Sequence, residues 1–211
     1  MEIPNLTAAL FGNSISVHFS HDNILLREEP APLKDAKMSR IDPIQIKISE
    51  HHVSVINMID LHETEFHLDS VDHLIGQLMQ ENQIWAFIFV VCLGKLTDGD
   101  KMGLEWLQSV FGDGVLQFVM ILFTYEREEE SDSIIDDLKK NTVLEELLKK
   151  CGGRYHTCSK TMNNQSEMRE LMIRIDSLFN ENHGQCYTEE MYNTQLRARE
   201  DQKKSECPRF G

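Results

Sequence analysis

Short continuous apolar runs alternate with longer amphipathic stretches along this chain, and this alternation limits the fold more than any other feature. Ile84 to Leu93 and Phe118 to Phe123 are apolar throughout, which is typical of strands buried on both faces of a sheet. Elsewhere apolar residues recur at helical spacing, as at Val71, Leu74 and Ile75. Strands that alternate with helices predict a three-layer α/β fold, in which helices cover both faces of a mostly parallel sheet.

Three further strands are predicted before the first clear helix. Leu6 to Phe11 and Val53 to Met58 are short apolar runs. Ile44, Ile46 and Ile48 alternate with polar residues, a pattern that favours a strand exposed on one face. Ligands of open α/β sheets bind at the carboxyl ends of the strands. We therefore expect a site in the loops that follow Phe11, Met58, Leu93, Phe123 and Cys158.

Polar residues and glycines predict where helices begin and end. Asp69 or Ser70 is expected to cap the helix that contains Val71. Thr142 and Glu145 have the spacing of a capping box, which predicts a helix start there. Gly152 is expected to stop that same helix, because glycine adopts the left-handed conformation found at helix ends.

Charge and cysteine content narrow the possible function classes. The 35 acidic and 21 basic residues give a net charge of -14, and such a surface repels nucleic acid and anionic lipid. The cysteines are an odd number, five, with no CxxC spacing, which favours a reducing compartment. No basic n-region of a signal peptide is visible, and the longest apolar run is about half a membrane crossing. We expect a cytoplasmic protein with no transmembrane segment, no nucleic-acid partner and no metal site of paired histidines.

Four segments in the second half of the chain follow a recognisable order and spacing. They are FIFVVCLGKLT (87–97), VMILFT (119–124), CGGRYH (151–156) and CYTEEMY (186–192). Together they resemble the AIG-type G domain of the GIMAP family, the immunity-associated GTPases. The resemblance covers roughly residues 84–192, while the first eighty residues match more loosely. It implies a P-loop GTPase-like fold, with a G domain over residues 4–183 and a helical extension with a frayed tail over residues 184–211. Fraying is expected from about residue 200.

The resemblance places the P-loop at Gly12 to Phe19 (GNSISVHF). A P-loop needs glycines so that backbone amides can wrap the phosphates, a Lys for the β- and γ-phosphates, and a Ser or Thr hydroxyl for magnesium. Val17, His18 and Phe19 stand at the positions of the last glycine, the Lys and the hydroxyl. Valine resists positive φ, histidine is short and mostly neutral at pH 7, and phenylalanine offers magnesium no oxygen. Ser20 lies one residue too late.

The other nucleotide-binding elements that the resemblance implies are also altered. In the Asp-x-x-Gly motif, Asn57 replaces the magnesium-binding Asp and Asp60 replaces the glycine, so a carboxylate faces the γ-phosphate. Thr124 and Glu126 lie where an Asp selects guanine in the family, with Glu126 displaced by one position. Ser159 lies in the last base-binding loop and retains only its backbone N–H as a donor to the base.

These substitutions predict a pseudo-GTPase with weak or no GTP binding, without catalytic residues, and with GTP hydrolysis lost. By resemblance it acts as an interaction or assembly module and associates with itself or with other GIMAP-like G domains. A functional GTP-binding switch with very slow hydrolysis stays open as an alternative, in which Gly12, Asn13 and Ser14 still bind phosphate through backbone amides. GTP or GDP with magnesium would be cofactors only in that case. A third alternative, an unrelated α/β hydrolase, has no GxSxG elbow in its support.

Overall fold

The computed structural model describes residues 6–12, 18–19, 43–48, 51–56, 68–81, 83–92, 98–125, 140–159, 161–162 and 165–206. The strands are β1 (Leu6–Gly12), β2 (His18–Phe19), β3 (Pro43–Ile48), β4 (His51–Ile56), β5 (Gln83–Cys92), β6 (Val119–Tyr125), β7 (Tyr155–Ser159) and β8 (Thr161–Met162). The helices are α1 (Leu68–Glu81), α2 (Asp98–Phe111), α3 (Thr142–Lys150), α4 (Gln165–Glu181) and α5 (Glu189–Glu206), and a 3-10 helix spans Asp113–Phe118.

Six of these strands form one sheet in the order β3-β4-β1-β5-β6-β7. Every neighbouring pair is parallel except β3 and β4, which form an antiparallel pair between Pro43–Ile48 and His51–Ile56. The short strands β2 and β8 form a separate parallel pair. The predicted mostly parallel sheet is confirmed.

The central strands are buried on both faces, as their unbroken apolar sequences predicted. Phe87, Phe89 and Val91 of β5 face a layer formed by α1, α2, α3 and α5, while Ile88 and Val90 face α4. Full burial of one such side chain contributes about 1.5–3 kcal/mol of transfer free energy. The two apolar clusters therefore stabilise a three-layer α/β fold, and this predicted fold class is confirmed.

The predicted caps of two helices were wrong. Helix α1 begins at Leu68, so Asp69 and Ser70 lie within its first turn and do not precede it. Helix α3 is capped by Asn141, whose Oδ1 accepts hydrogen bonds from the amides of Val143 at 3.0 Å and Leu144 at 3.4 Å. Apolar periodicity predicts the buried face of a helix, but it predicts the first residue of the helix only to within one or two positions.

The end of α3 follows the prediction and leads directly into β7. Gly152 and Gly153 adopt φ angles of 64° and 76°, which glycine tolerates without a Cβ clash. The Gly153 amide donates to the carbonyl of Leu148 at 2.8 Å, so the last turn of the helix is closed. This turn places Arg154 at the entrance of the edge strand.

The C-terminal helix α5 packs on α1 and α2 and continues to Glu206. It therefore extends beyond residue 200, at which fraying was expected, and residues 200–206 are exposed along it. Ahead of the helix, Tyr187 pairs through its backbone with Ile84 at the start of β5. Tyr187 and Tyr192 are buried, so they fix this C-terminal segment to the core. The domain boundary near residue 183 stays a prediction.

Candidate functional site

The parallel strands end along one edge of the sheet, which we call the carboxyl edge. Strands β1, β4, β5, β6 and β7 reach it at Gly12, Ile56, Cys92, Tyr125 and Ser159. Their register aligns these ends, because Gly12 lies opposite Val90 and Tyr125 lies opposite Ser159. The loops in which a ligand was expected therefore start from a common edge.

The structure brings three of the predicted site residues to this carboxyl edge. Gly12 ends β1, Thr124 precedes the last residue of β6, and Ser159 ends β7. Thr124 lies in register between Cys92 and Cys158 and is 0% exposed, so its side chain is enclosed by the sheet and its covering layers. Ser159 is half-buried. The remaining predicted positions lie outside the described residues, namely Asn13, Ser14, Ser20, Asn57, Asp60 and Glu126.

The two residues predicted to stand at the P-loop Lys and hydroxyl positions lie in a strand. His18 and Phe19 form β2, which pairs in parallel with Thr161 and Met162 of β8. In a P-loop these two positions open a helix whose free amides point at the phosphates. Here their backbone is extended and pairs with a neighbouring strand. Neither the residue types nor this backbone conformation fits a triphosphate with magnesium.

Two of the described cysteines, Cys151 and Cys186, lack the character of nucleophiles. Burial raises the pKa of the Cys151 thiol to about 12, although the charges of Arg154 and Lys150 act in the opposite direction. Burial also raises the pKa of Cys186. Cys151 and Cys158 are both buried, and neither forms a disulfide. Because the thiolate is the reactive form, Cys151 and Cys186 are poorly suited to covalent catalysis at neutral pH.

The described part of the chain offers neither a membrane span nor a metal site. None of its helices combines the length and the apolarity that crossing a lipid bilayer requires. Nor does this part of the chain bring together three or more His, Cys, Asp or Glu side chains in a way that would hold a metal ion.

A groove that the sequence analysis missed lies at the opposite end of β7. It has a volume of about 430 Å³ and runs between β7 and the second half of α4. Its polar walls include Arg154, His156, Arg174, Ser177 and Glu181. The segment CGGRYH was identified in the sequence as a family motif, but only the packing of α4 beside β7 places it in a groove.

The charged groups of this groove differ in how they are held. Arg154 donates from Nε to the carbonyl of Val119 at 3.1 Å and from Nη2 to that of Leu116 at 2.6 Å, so its guanidinium is fixed in place. The pKa of His156 lies below its ordinary value, mainly because of burial and further because of the Arg174 charge, while Glu170 acts in the opposite direction. His156 is therefore held toward its neutral form.

Comparison with known proteins agrees with the resemblance seen in the sequence. The profile of the AIG1 family matches residues 38–206. Human GTPase IMAP family member 8 is 29% identical over 103 residues, which cover 47% of this chain and 16% of that protein. Immune-associated nucleotide-binding protein 1 of Arabidopsis thaliana is 26% identical over 152 residues, which cover 65% of this chain and 68% of that protein. The chain thus aligns with about one sixth of the length of the human relative.

Solved structures share the fold. A dimerization-deficient variant of Toc33 from Arabidopsis thaliana superposes with a TM-score of 0.50 at 11% identity, covering 87% of this chain and 88% of that chain. At this identity the likeness shows the fold alone, which is that of a P-loop GTPase-like G domain. The profile match covers far more than half of the sequence, and the predicted GIMAP resemblance is confirmed. This chain therefore belongs to the AIG1 family.

Proposed function

We propose that this chain is a pseudo-GTPase, an AIG1-type G domain that binds GTP weakly or not at all and acts as an interaction or assembly module. The observation that carries the proposal is the extended backbone of His18 and Phe19, which pairs with Thr161 and Met162. A phosphate-binding loop would need these two positions to begin a helix. The family match begins at residue 38, after this stretch, which also supports the proposal.

The altered contacts together make the free energy of nucleotide binding less favourable. Each phosphate or base contact that is lost costs about 1–3 kcal/mol, as for a polar group left without a partner. Each ~1.4 kcal/mol weakens binding about tenfold, so several losses weaken it by orders of magnitude. We propose that Gly12, Asn13, Ser14 and Ser159 are the remnants of the site, while Val17, His18, Phe19, Asn57 and Asp60 are the positions that disable it.

The proposed assembly role depends on family membership and on the intact sheet. GIMAP-like G domains associate through the side that faces the nucleotide, and here the carboxyl edge of the sheet retains its aligned strand ends. We propose that this edge contacts a second copy or another GIMAP-like G domain. A cytoplasmic location is proposed as well, supported by Cys151 and Cys158, which are buried and form no disulfide, as suits a reducing compartment.

Thermal unfolding in the presence of magnesium and GTP tests the lost nucleotide binding. A ligand present at 100 times its Kd adds about 2.7 kcal/mol of stability. For a domain of this size each 1 kcal/mol raises Tm by about 2–4 °C, so real binding is easily seen. We expect an unchanged Tm at millimolar Mg-GTP and at millimolar Mg-GDP.

The variant His18→Ala serves as the matched control, because position 18 is where a P-loop holds its phosphate-binding Lys. We expect this variant to respond to the nucleotides as the unmodified chain does. A clear rise in Tm with Mg-GTP would contradict the proposal and favour the alternative of a GTP-binding switch. Loss of that rise in His18→Ala would place the nucleotide at position 18.

A further inference from the structure

Strand β7 forms one outer edge of the main sheet in the described part of the chain. The amide of Ile121 in β6 donates to the carbonyl of Arg154 at 3.1 Å. This bond shows which residues of β7 direct their backbone groups toward β6. Along a strand successive residues direct their backbone groups to opposite sides, so those of His156 face β6. The N–H and C=O groups of Tyr155 and Thr157 consequently point away from the sheet. Such an edge is a template for an additional strand.

The groove described above runs beside this edge, on the face that α4 covers. His156 contributes from the strand, and Arg174, Ser177 and Glu181 contribute from the helix. In a strand added to β7, every second side chain would point toward α4 and into this groove. The outward backbone groups and the groove thus belong to one continuous surface, which we call the β7 edge surface: Arg154, Tyr155, His156, Thr157, Arg174, Ser177 and Glu181.

The charge of the β7 edge surface is opposite to that of the whole chain. Two arginines and one carboxylate, Glu181, line the groove, whereas the chain carries a net charge of -14. Arg174 is exposed and has no hydrogen bond or ion pair to any described residue. Arg154 uses Nε and Nη2 for backbone carbonyls and retains Nη1. Arginine donors in this arrangement suit carboxylates.

We propose that the β7 edge surface binds an extended acidic peptide segment of a partner protein by strand addition. Backbone hydrogen bonds to Tyr155 and Thr157 provide affinity that is independent of sequence, and acidic side chains at alternate positions select the partner through Arg174 and Arg154. A second copy of this chain is disfavoured, since two-fold pairing of β7 with β7 would bring the two Arg174 side chains together. The proposal is independent of nucleotide binding.

Peptide display on the full chain tests the proposal. A phage-displayed library of random dodecapeptides is selected on the immobilised protein. Phage that also bind the Thr157→Pro variant of the protein are removed. Proline at position 157 eliminates an outward amide, and edge strands tolerate proline when the lost N–H faces outward. We expect enriched peptides with Asp or Glu at alternate positions. Hydrogen exchange should show that the strongest synthetic peptide protects residues 155–159.

Two exposed arginines of the same helix supply a matched charge control. Arg174 lines the groove, whereas Arg169 does not, and both are exposed. We expect Arg174→Glu to weaken the synthetic peptide about tenfold or more, and Arg169→Glu to change it less than about twofold. Thr157→Ala, which keeps the amide, should bind as the unmodified chain does, and this variant also controls for folding.

Several results would overturn the proposal. They are enrichment of peptides without acidic residues, equal weakening by Arg174→Glu and Arg169→Glu, or protection that lies outside residues 155–159. Sedimentation that shows a dimer which Thr157→Pro dissociates would assign the edge to a second copy instead. Displacement of the peptide by inorganic phosphate at micromolar concentration would assign the groove to a small anion.

Discussion

Two regions of this molecule, the carboxyl edge and the C-terminal anchor, differ in whether their polar side chains have the partners that their role requires. We define the C-terminal anchor as Tyr187, Tyr192 and Arg199. Tyr187 donates its hydroxyl to the carbonyl of Phe111 at 2.6 Å, and Tyr192 donates to Asp72 at 2.7 Å. Arg199 donates to both carboxylate oxygens of Asp72, at 2.8 and 3.3 Å. By contrast, the positions predicted to bind phosphate and magnesium carry Val17, His18 and Phe19.

The contacts that fix the C-terminal segment to the core thus involve none of the predicted nucleotide-binding positions. The ring of Tyr187 contacts Phe87, Phe111 and Phe118 with centroid separations of 5.5, 5.4 and 6.1 Å. These contacts connect the C-terminal segment to β5, α2 and the 3-10 helix without involving the carboxyl edge. We therefore expect the core to stay folded whichever residues stand at the predicted phosphate-binding positions.

The largest expected effect comes from the centre of the anchor. Tyr187 is 1% exposed, and Tyr187→Ala removes its ring from the aromatic cluster. We expect the free energy of unfolding to fall by about 3–5 kcal/mol, as for other truncations of buried aromatic residues. Urea denaturation followed by circular dichroism measures this change.

The control for this truncation is Tyr187→Phe, which keeps the ring and deletes only the hydroxyl that donates to Phe111. We expect a loss of about 0.5–1.5 kcal/mol, the net value of one hydrogen bond. If Tyr187→Ala cost no more than Tyr187→Phe, the anchor would not stabilise the fold, and the contrast between the two regions would fail.

An intermediate effect is expected at the ion pair that connects α5 to α1. The side chains of Arg199 and Asp72 are only 16% and 19% exposed, so removing one leaves the other poorly solvated. We expect Asp72→Ala to lower the free energy of unfolding by about 2–4 kcal/mol, because both Arg199 and the Tyr192 hydroxyl lose their acceptor. Arg199→Ala should lower it somewhat less. A double-mutant cycle in urea measures the coupling between them.

The comparison pair for this cycle is Glu145 and Lys149, which lie 3.0 Å apart on the surface of α3 with side chains 52% and 73% exposed. Exposed pairs of this kind contribute about 0.3–0.5 kcal/mol. Equal coupling energies in the two cycles would mean that the pair of Arg199 and Asp72 stabilises the fold no more than an exposed ion pair does.

The smallest effect concerns the groove and depends on pH. Burial, with a further contribution from Arg174, lowers the pKa of His156 below its ordinary value of 6.5, while Glu170 opposes the shift. The unfolded chain therefore binds this proton more readily than the folded chain, so stability falls as the pH drops below 6.5.

The matched variant His156→Gln cannot titrate at this position. Comparing urea denaturation at about pH 7.5 and about pH 5.5, we expect the unmodified chain to lose more stability than this variant does. An equal loss in the two proteins would mean that His156 is protonated as readily in the folded chain as in the unfolded one.

Much of the fold was predictable because burial leaves a periodic trace in the sequence. The continuous apolar run of β5 predicted a strand covered on both faces, and the helical spacing of Val71, Leu74 and Ile75 predicted the helix α1. The cap of α3 was not predicted correctly, since Asn141 and Thr142 are both acceptable caps and only the backbone conformation distinguishes them. The positions of the candidate nucleotide site came from the family resemblance, and six of them lie outside the described residues.

By itself the sequence determined the three-layer class, the family, and the absence of Lys and a hydroxyl at positions 18 and 19, because residue type and local periodicity are written directly along the chain. Only the tertiary structure decided that β2 pairs with β8, that β7 is an outer strand beside α4, and that Arg199 meets Asp72. Each of these contacts joins residues far apart along the chain, and their partners are selected by how the whole set of layers packs rather than by any local pattern.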